Sequence, residues 1–165
     1  MQDFIFDGHL DLAWNALQWN RDLTQSVYTI RTQEATQTGR ALNTVALPQM
    51  RQGGVLLCIT TLMGRCTGVP RPHVDFRSPT QTYAIARGHL AYYNALEQSG
   101  HTRLIHTTAD LDTHLDAIDN GEADRIGLLI GMESADAILS PEQVGEWHAA
   151  GVRVIGPAHY GMGRY

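Results

Sequence analysis

A chain of 165 residues with 43% hydrophobic and 18% charged residues has enough apolar material for a core and too much for a disordered segment. Its net charge of -5, with no basic run, argues against a phosphate-backbone binder, so nucleic acid is not an expected partner. No apolar stretch reaches the roughly 20 residues that span a bilayer, and the start lacks the pattern of a signal peptide, so no membrane partner is expected. Cys58 lies in an apolar run and Cys66 in a Gly/Pro-rich loop. They form neither a C-x-x-C motif nor a disulfide framework, and a cytoplasmic location is the expectation. A metal shared by Cys66 and His73 is a minor alternative to an ordinary loop thiol.

Phe4-Ile5-Phe6 opens a short apolar strand that leads into Asp7-Gly8-His9-Leu10-Asp11. Residues 17–40 are polar and show no clean period; they read as a long excursion with room for a short helix. Residues 43–52 read as a helix, with Val45, Leu47 and Met50 apolar and Gly53-Gly54 as its stop. Residues 55–63 are almost continuously apolar, as suits a strand buried on both faces. Two helix starts share one chemistry: Ser78-Pro79-Thr80-Gln81 and Ser140-Pro141-Glu142-Gln143. Each places a Ser N-cap before Pro at the first helical position, with Gln three residues after the cap. The first opens a helix to about Gln98, with Tyr83, Ala86, Leu90, Tyr93 and Leu96 on one face. The second opens a short helix that Gly151 closes. A further helix over 108–118 carries Leu111, Leu115 and Ile118 on one face, and 125–132 and 152–158 read as two more buried strands.

Buried strands alternating with amphipathic helices predict an α/β fold: four parallel strands with outer helices. No linker or repeat divides residues 1–165, which read as one domain. A complete (β/α)8 barrel needs about 250 residues. Four strands are therefore expected to be the N-terminal half of such a TIM-type barrel, stopping before it closes.

Three positions can carry chemistry. His9 and Asp11 are two apart at the end of the first strand and share a face there. They can meet one cation through a ring nitrogen and a carboxylate oxygen, or form a plain His–Asp pair. Glu133 ends the apolar run 126–132, where a carboxylate must be solvated, paired or bound to metal. Its two oxygens suit it to bridging two cations. His159 follows the last strand among Gly156, Gly161 and Gly163, a loop fit to pass close to a ligand, or a loop histidine without a role. His73, His89, His101, His106, His114 and His148 read as surface or core-edge residues. No nucleophile elbow or phosphate loop is present.

Asp7-Gly8-His9-Leu10-Asp11-Leu12-Ala13-Trp14 resembles the opening of the renal (membrane) dipeptidase family. The turn over 47–55, the stretch from Thr107 to Glu133, and Gly151 to His159 are similar to later parts of that family, in order and spacing. The resemblance implies a zinc peptidase of the amidohydrolase-like superfamily that cleaves dipeptides with a hydroxide held between two zinc ions. His9 and Asp11 would ligate one zinc, Glu133 would bridge both and serve the catalysis, and His159 would bind substrate. Two departures stand out. Glu133 is followed by Ser134-Ala135-Asp136 where the family has Gly-Gly-His, and His159 by Tyr160-Gly161-Met162 where it often has a run ending in Asn. The family's remaining zinc ligands and acid/base aspartate fall in a second half of the barrel, so this chain alone is expected to be inactive. The alternatives are another metal-dependent hydrolase of the superfamily, acting on a cyclic amide or ester, and a non-enzymatic half-barrel. Open sheet edges and an inner face carrying Ile5, Leu57, Ile59 and Ile130 lead to an expected partner: a second copy, or a complementary C-terminal half.

Overall fold

The computed structural model describes residues 3–165. In chain order the elements are β1 (Ile5–Leu10), α1 (Leu12–Gln18), α2 (Val27–Glu34), α3 (Leu47–Gln52), β2 (Val55–Leu62), α4 (Pro79–Gln98), β3 (Thr102–Leu104), α5 (Thr108–Asp119), β4 (Ile126–Met132), α6 (Val144–Ala149) and β5 (Val152–Ile155). All strand pairs are parallel. β2 lies between β1 and β4. β3 pairs with the first half of β4 and β5 with its second half. Since β2 takes up one edge of β4 from Gly127 to Met132, β3 and β5 share the other, end to end.

The core follows from strand alternation. Ile126, Leu128, Ile130 and Met132 of β4 point to one face, where they meet Cys58 and Leu62 of β2 and the Ala86, Leu90, Tyr93 and Leu96 stripe of α4. That stripe recurs at helical spacing, which is why α4 packs along the sheet. Ser78 caps it by accepting from Gln81 N at 3.3 Å, and Pro79 opens its first turn. The helix ends where Gly100 takes φ +77°, letting His101 N return to Leu96 O at 2.9 Å.

Several expectations are corrected. The sheet has five strands among the described residues rather than four, because Thr102–Leu104 pairs with β4. The short helix for which 17–40 left room is α2, and the end of α1 also falls there, while α3 starts at Leu47 rather than at 43. Ser140 makes no capping bond; a 3-10 turn (Pro141–Gln143) precedes α6, and Gln143 Oε1 accepts from Leu139 N at 3.0 Å. The last strand stops at Ile155. Ile130 belongs to the helix-side core and not to the inner face. Leu57 does lie on the inner face, but it is buried, with His114 of α5 close by. His89 and His114 are both buried rather than surface or core-edge residues. No helix among the described residues is long and apolar enough to cross a membrane.

Candidate metal centre at the carboxyl ends of the strands

Parallel strands deliver their last residues to one rim, and four side chains with ligand chemistry arrive there. In β1 the pairing steps from Asp7↔Cys58 to Leu10↔Thr60, three residues against two. This irregularity re-aims the strand end, as bulges do, and Asp7 Oδ1 accepts from His9 N at 2.9 Å within it. Asp11 follows directly, before α1. Glu133 follows β4, with its N–H still on the ladder to Leu62 O at 3.2 Å. His159 lies beyond β5 on a segment that Gly156 starts by donating to Met132 O at 2.8 Å. Only glycine fits there without a shift, since a Cβ would stand 3.0 Å from Glu133 O.

His9 Nε2 is 3.7 Å from Asp11 Oδ1 and 3.5 Å from Glu133 Oε1. Ligand atoms of His9, Asp11 and Glu133 all lie within 4.8 Å of one another, the one such metal-competent group among the described residues. His159 Nδ1 is 2.6 Å from Glu133 Oε1. Glu133 is almost enclosed, and its Oε2 is a buried acceptor with no hydrogen-bond partner. Burial first, and the neighbouring Asp11 second, push its carboxyl up to about 8. Burial, then the Arg65 cation, hold His159 below the usual imidazole range. Both shifts favour a neutral Glu133–His159 pair in a site without a cation. A dication among these oxygens reverses that preference, because it stabilises the carboxylate. The buried oxygen without a partner and the one-nitrogen, two-carboxylate donor set therefore fit a hard or borderline divalent ion.

The structure thus brings together His9, Asp11, Glu133 and His159. It does not bring in Cys66 or His73: Cys66 N donates to Asp136 Oδ2 at 2.7 Å, and the His73 ring lies 5.4 Å from that of Trp19. Asp136 is buried, its other oxygen accepting from Arg164 N at 2.5 Å, so it ties two loops rather than offering a free carboxylate. Three residues around the site escaped the sequence reading. Thr61 Oγ1 donates to Asp11 Oδ1. Arg65 donates to His159 O at 3.0 Å while paired with Asp75 at 3.2 Å. Tyr93 donates to Thr61 O at 2.9 Å. For Thr61 a signal existed: Thr60-Thr61 interrupts an apolar strand near its end, the same oddity that marks Glu133.

No family model and no curated protein matches the chain. Solved structures do. Dipeptidase AC, a metallopeptidase of family M19, is similar at TM-score 0.63 and 20% identity, over 94% of this chain and 42% of that one. The probable dipeptidase PvdM from Pseudomonas aeruginosa gives TM-score 0.67 and 11% identity, over 96% and 35%. A metallopeptidase from Rhodobacter sphaeroides, liganded with a phosphinate mimic of the dipeptide L-Ala-D-Ala, gives 0.64 and 19%, over 94% and 45%. The chain spans less than half the length of each of these structures. At these identities the likeness establishes the fold: a parallel sheet with flanking helices that matches part of a TIM-barrel-like dipeptidase fold.

Proposed function

We propose that this chain carries the first part of the active centre of a metal-dependent dipeptidase of the renal dipeptidase family, with zinc as the metal. The observation that carries the reading is the convergence of His9, Asp11 and Glu133 at the carboxyl rim of a parallel sheet, where one buried Glu133 oxygen lacks any partner. Barrel enzymes place their chemistry at that rim. His9 through Nε2 and Asp11 through Oδ1 would hold one ion, and Glu133 would give an oxygen to each of two. When bound, such ions polarise a carbonyl and acidify water near neutral pH. His159, beside Glu133 on the same rim, would hold the substrate, a small peptide. Three protein ligands for one ion, and Glu133 alone for the other, make weak turnover the expectation for this chain by itself. A second polypeptide that completes the ligand set is the expected partner.

The test is metal uptake. The purified chain, dialysed against Zn2+, is expected to retain metal that His9→Ala and Glu133→Gln variants lose, and to cleave dipeptides poorly. A wild-type chain that takes up no more zinc than either variant would end the metal reading. Robust dipeptide hydrolysis by the chain alone would refute the incomplete-site reading.

A further inference from the structure

Asp11 occupies the N-cap of α1, where an aspartate ordinarily accepts from the backbone N–H two or three residues on. It makes no such bond, and its backbone sits at φ -83°, ψ 54°. Of the two N–H groups such a bond could serve, those of Ala13 and Trp14, Tyr93 satisfies the first: the phenol oxygen accepts from Ala13 N at 2.9 Å. The same hydroxyl donates its single proton to the carbonyl of Thr61 at 2.9 Å. Thr61 in turn donates its side-chain hydroxyl to Asp11 Oδ1. Tyr93 is fully enclosed and Thr61 nearly so, so neither bond has water as a ready substitute. Behind them the Asp11 carbonyl is fixed by Asn15, whose N and Nδ2 both donate to it at 3.0 Å.

We propose that Tyr93 and Thr61 are positioning residues for Asp11: Tyr93 caps α1 in its place, and Thr61 turns the released carboxylate toward His9 and Glu133. Without the phenol, the Asp11 side chain has an unsatisfied N–H next to it and reverts to the ordinary cap. Without the Thr61 hydroxyl, it loses the bond that aims it across the rim. The consequence for metal affinity rests on the dipeptidase reading above; the placement of the carboxylate does not.

The experiment uses the full chain and three variants: Tyr93→Phe, Thr61→Val and Thr61→Ser. Co2+ titration followed by absorption is expected to show binding about 10- to 100-fold weaker in Tyr93→Phe and Thr61→Val, as for other residues that orient ligands, with Thr61→Ser close to wild type. Metal-free crystal structures form the second arm. In Tyr93→Phe the Asp11 carboxylate is expected within about 3 Å of Ala13 N, and in Thr61→Val it is expected to turn away from His9. Asp11 unmoved in both variants overturns the proposal, as does Co2+ affinity in Thr61→Val within about twofold of wild type. If the wild-type chain takes up no Co2+, the metal reading falls and the crystallographic arm alone decides the proposal. Should Tyr93→Phe fail to fold, the Thr61 pair decides it, since valine is nearly isosteric with threonine and serine keeps the hydroxyl.

Discussion

Glu133 is held in a place that suits its charge badly. Its carboxyl is raised to about 8 by burial and by Asp11, and one oxygen has no partner. Glu133→Gln keeps the shape and removes the group that can become a carboxylate. The metal-free variant is therefore expected to melt at the same temperature as wild type or higher, while divalent-ion affinity falls at least about 100-fold; thermal melts beside calorimetric titration check both halves. His89 makes the opposite kind of demand, since it must stay neutral. Met63 N donates to its Nδ1 at 3.1 Å, so the ring proton lies on Nε2, facing Gln18 Oε1 at 3.0 Å. Burial lowers its pKa from 6.5 to about 4. Between those values the unfolded chain binds a proton that the folded chain refuses, so stability falls as pH drops through that window, by about 3 kcal/mol in all. Glu133, raised to about 8, contributes the opposite slope over the same range in both proteins, so urea midpoints from pH 7 to 4 should fall more, or rise less, in wild type than in His89→Gln; equal slopes would refute it. His9, Asp11, Glu133 and His159 were legible in the sequence because each breaks an apolar pattern at a strand end. Tyr93 and Arg65 were not, because the partners that tie them to the site, Thr61 and His159, lie 32 and 94 residues away along the chain. Tyr93 also occupies an ordinary core position of an amphipathic helix.

At the level of elements, β2 and β4 could be read because buried parallel strands are runs of Val, Ile and Leu, and β1 and β5 from shorter apolar stretches. β3 could not: three residues, Thr102–Leu104, carry no period, and only the free edge of β4 makes them a strand. The position of α5 was equally hidden. Its start was visible in Thr107 and Asp110, which form a capping box. Nothing local says that its buried His114 reaches the inner face, where its Nε2 donates to Leu56 O at 2.8 Å. The contact is made possible by Gly127, where a Cβ would come within 2.6 Å of His114 Nε2 and 2.8 Å of Leu57 Cδ1. Gly127→Ala is therefore expected to destabilise the chain by about 1–3 kcal/mol through overpacking. Gly88→Ala, in α4 with nothing within 4 Å of the new methyl, is expected to gain stability by about 0.5–1 kcal/mol. Chemical unfolding of the two variants side by side checks the difference, and equal effects would mean that α5 does not press on the sheet as described.

For the molecule as a whole, the least protected element is β1. It pairs only with β2 among the described residues, so its other edge presents free backbone donors and acceptors. It is also apolar where it is open: Ile5 is 52% and Phe6 51% exposed. Native monomers usually blunt such an edge with charge, proline or a covering element. Here Asp7 is the strand's one acidic residue, and its Oδ1 is already used by His9 N. Fully covering a side chain of this kind is worth roughly 1.5–3 kcal/mol, against a total stability of about 5–15 kcal/mol for a typical domain. A second polypeptide laid along β1 would gain both that burial and the unused hydrogen bonds. In a solution of this chain alone, the available polypeptide is another copy. Sedimentation velocity at micromolar concentrations is thus expected to show mass rising with concentration, and Phe6→Lys is expected to remain monomeric because a buried, unpaired ammonium opposes the contact. A cooperative wild-type monomer over the same range would show that β1 tolerates its exposure. On the proposed dipeptidase reading, adding a polypeptide that supplies further metal ligands should then raise zinc retention and dipeptide cleavage together, because the same contact would cover the strand and add to the site.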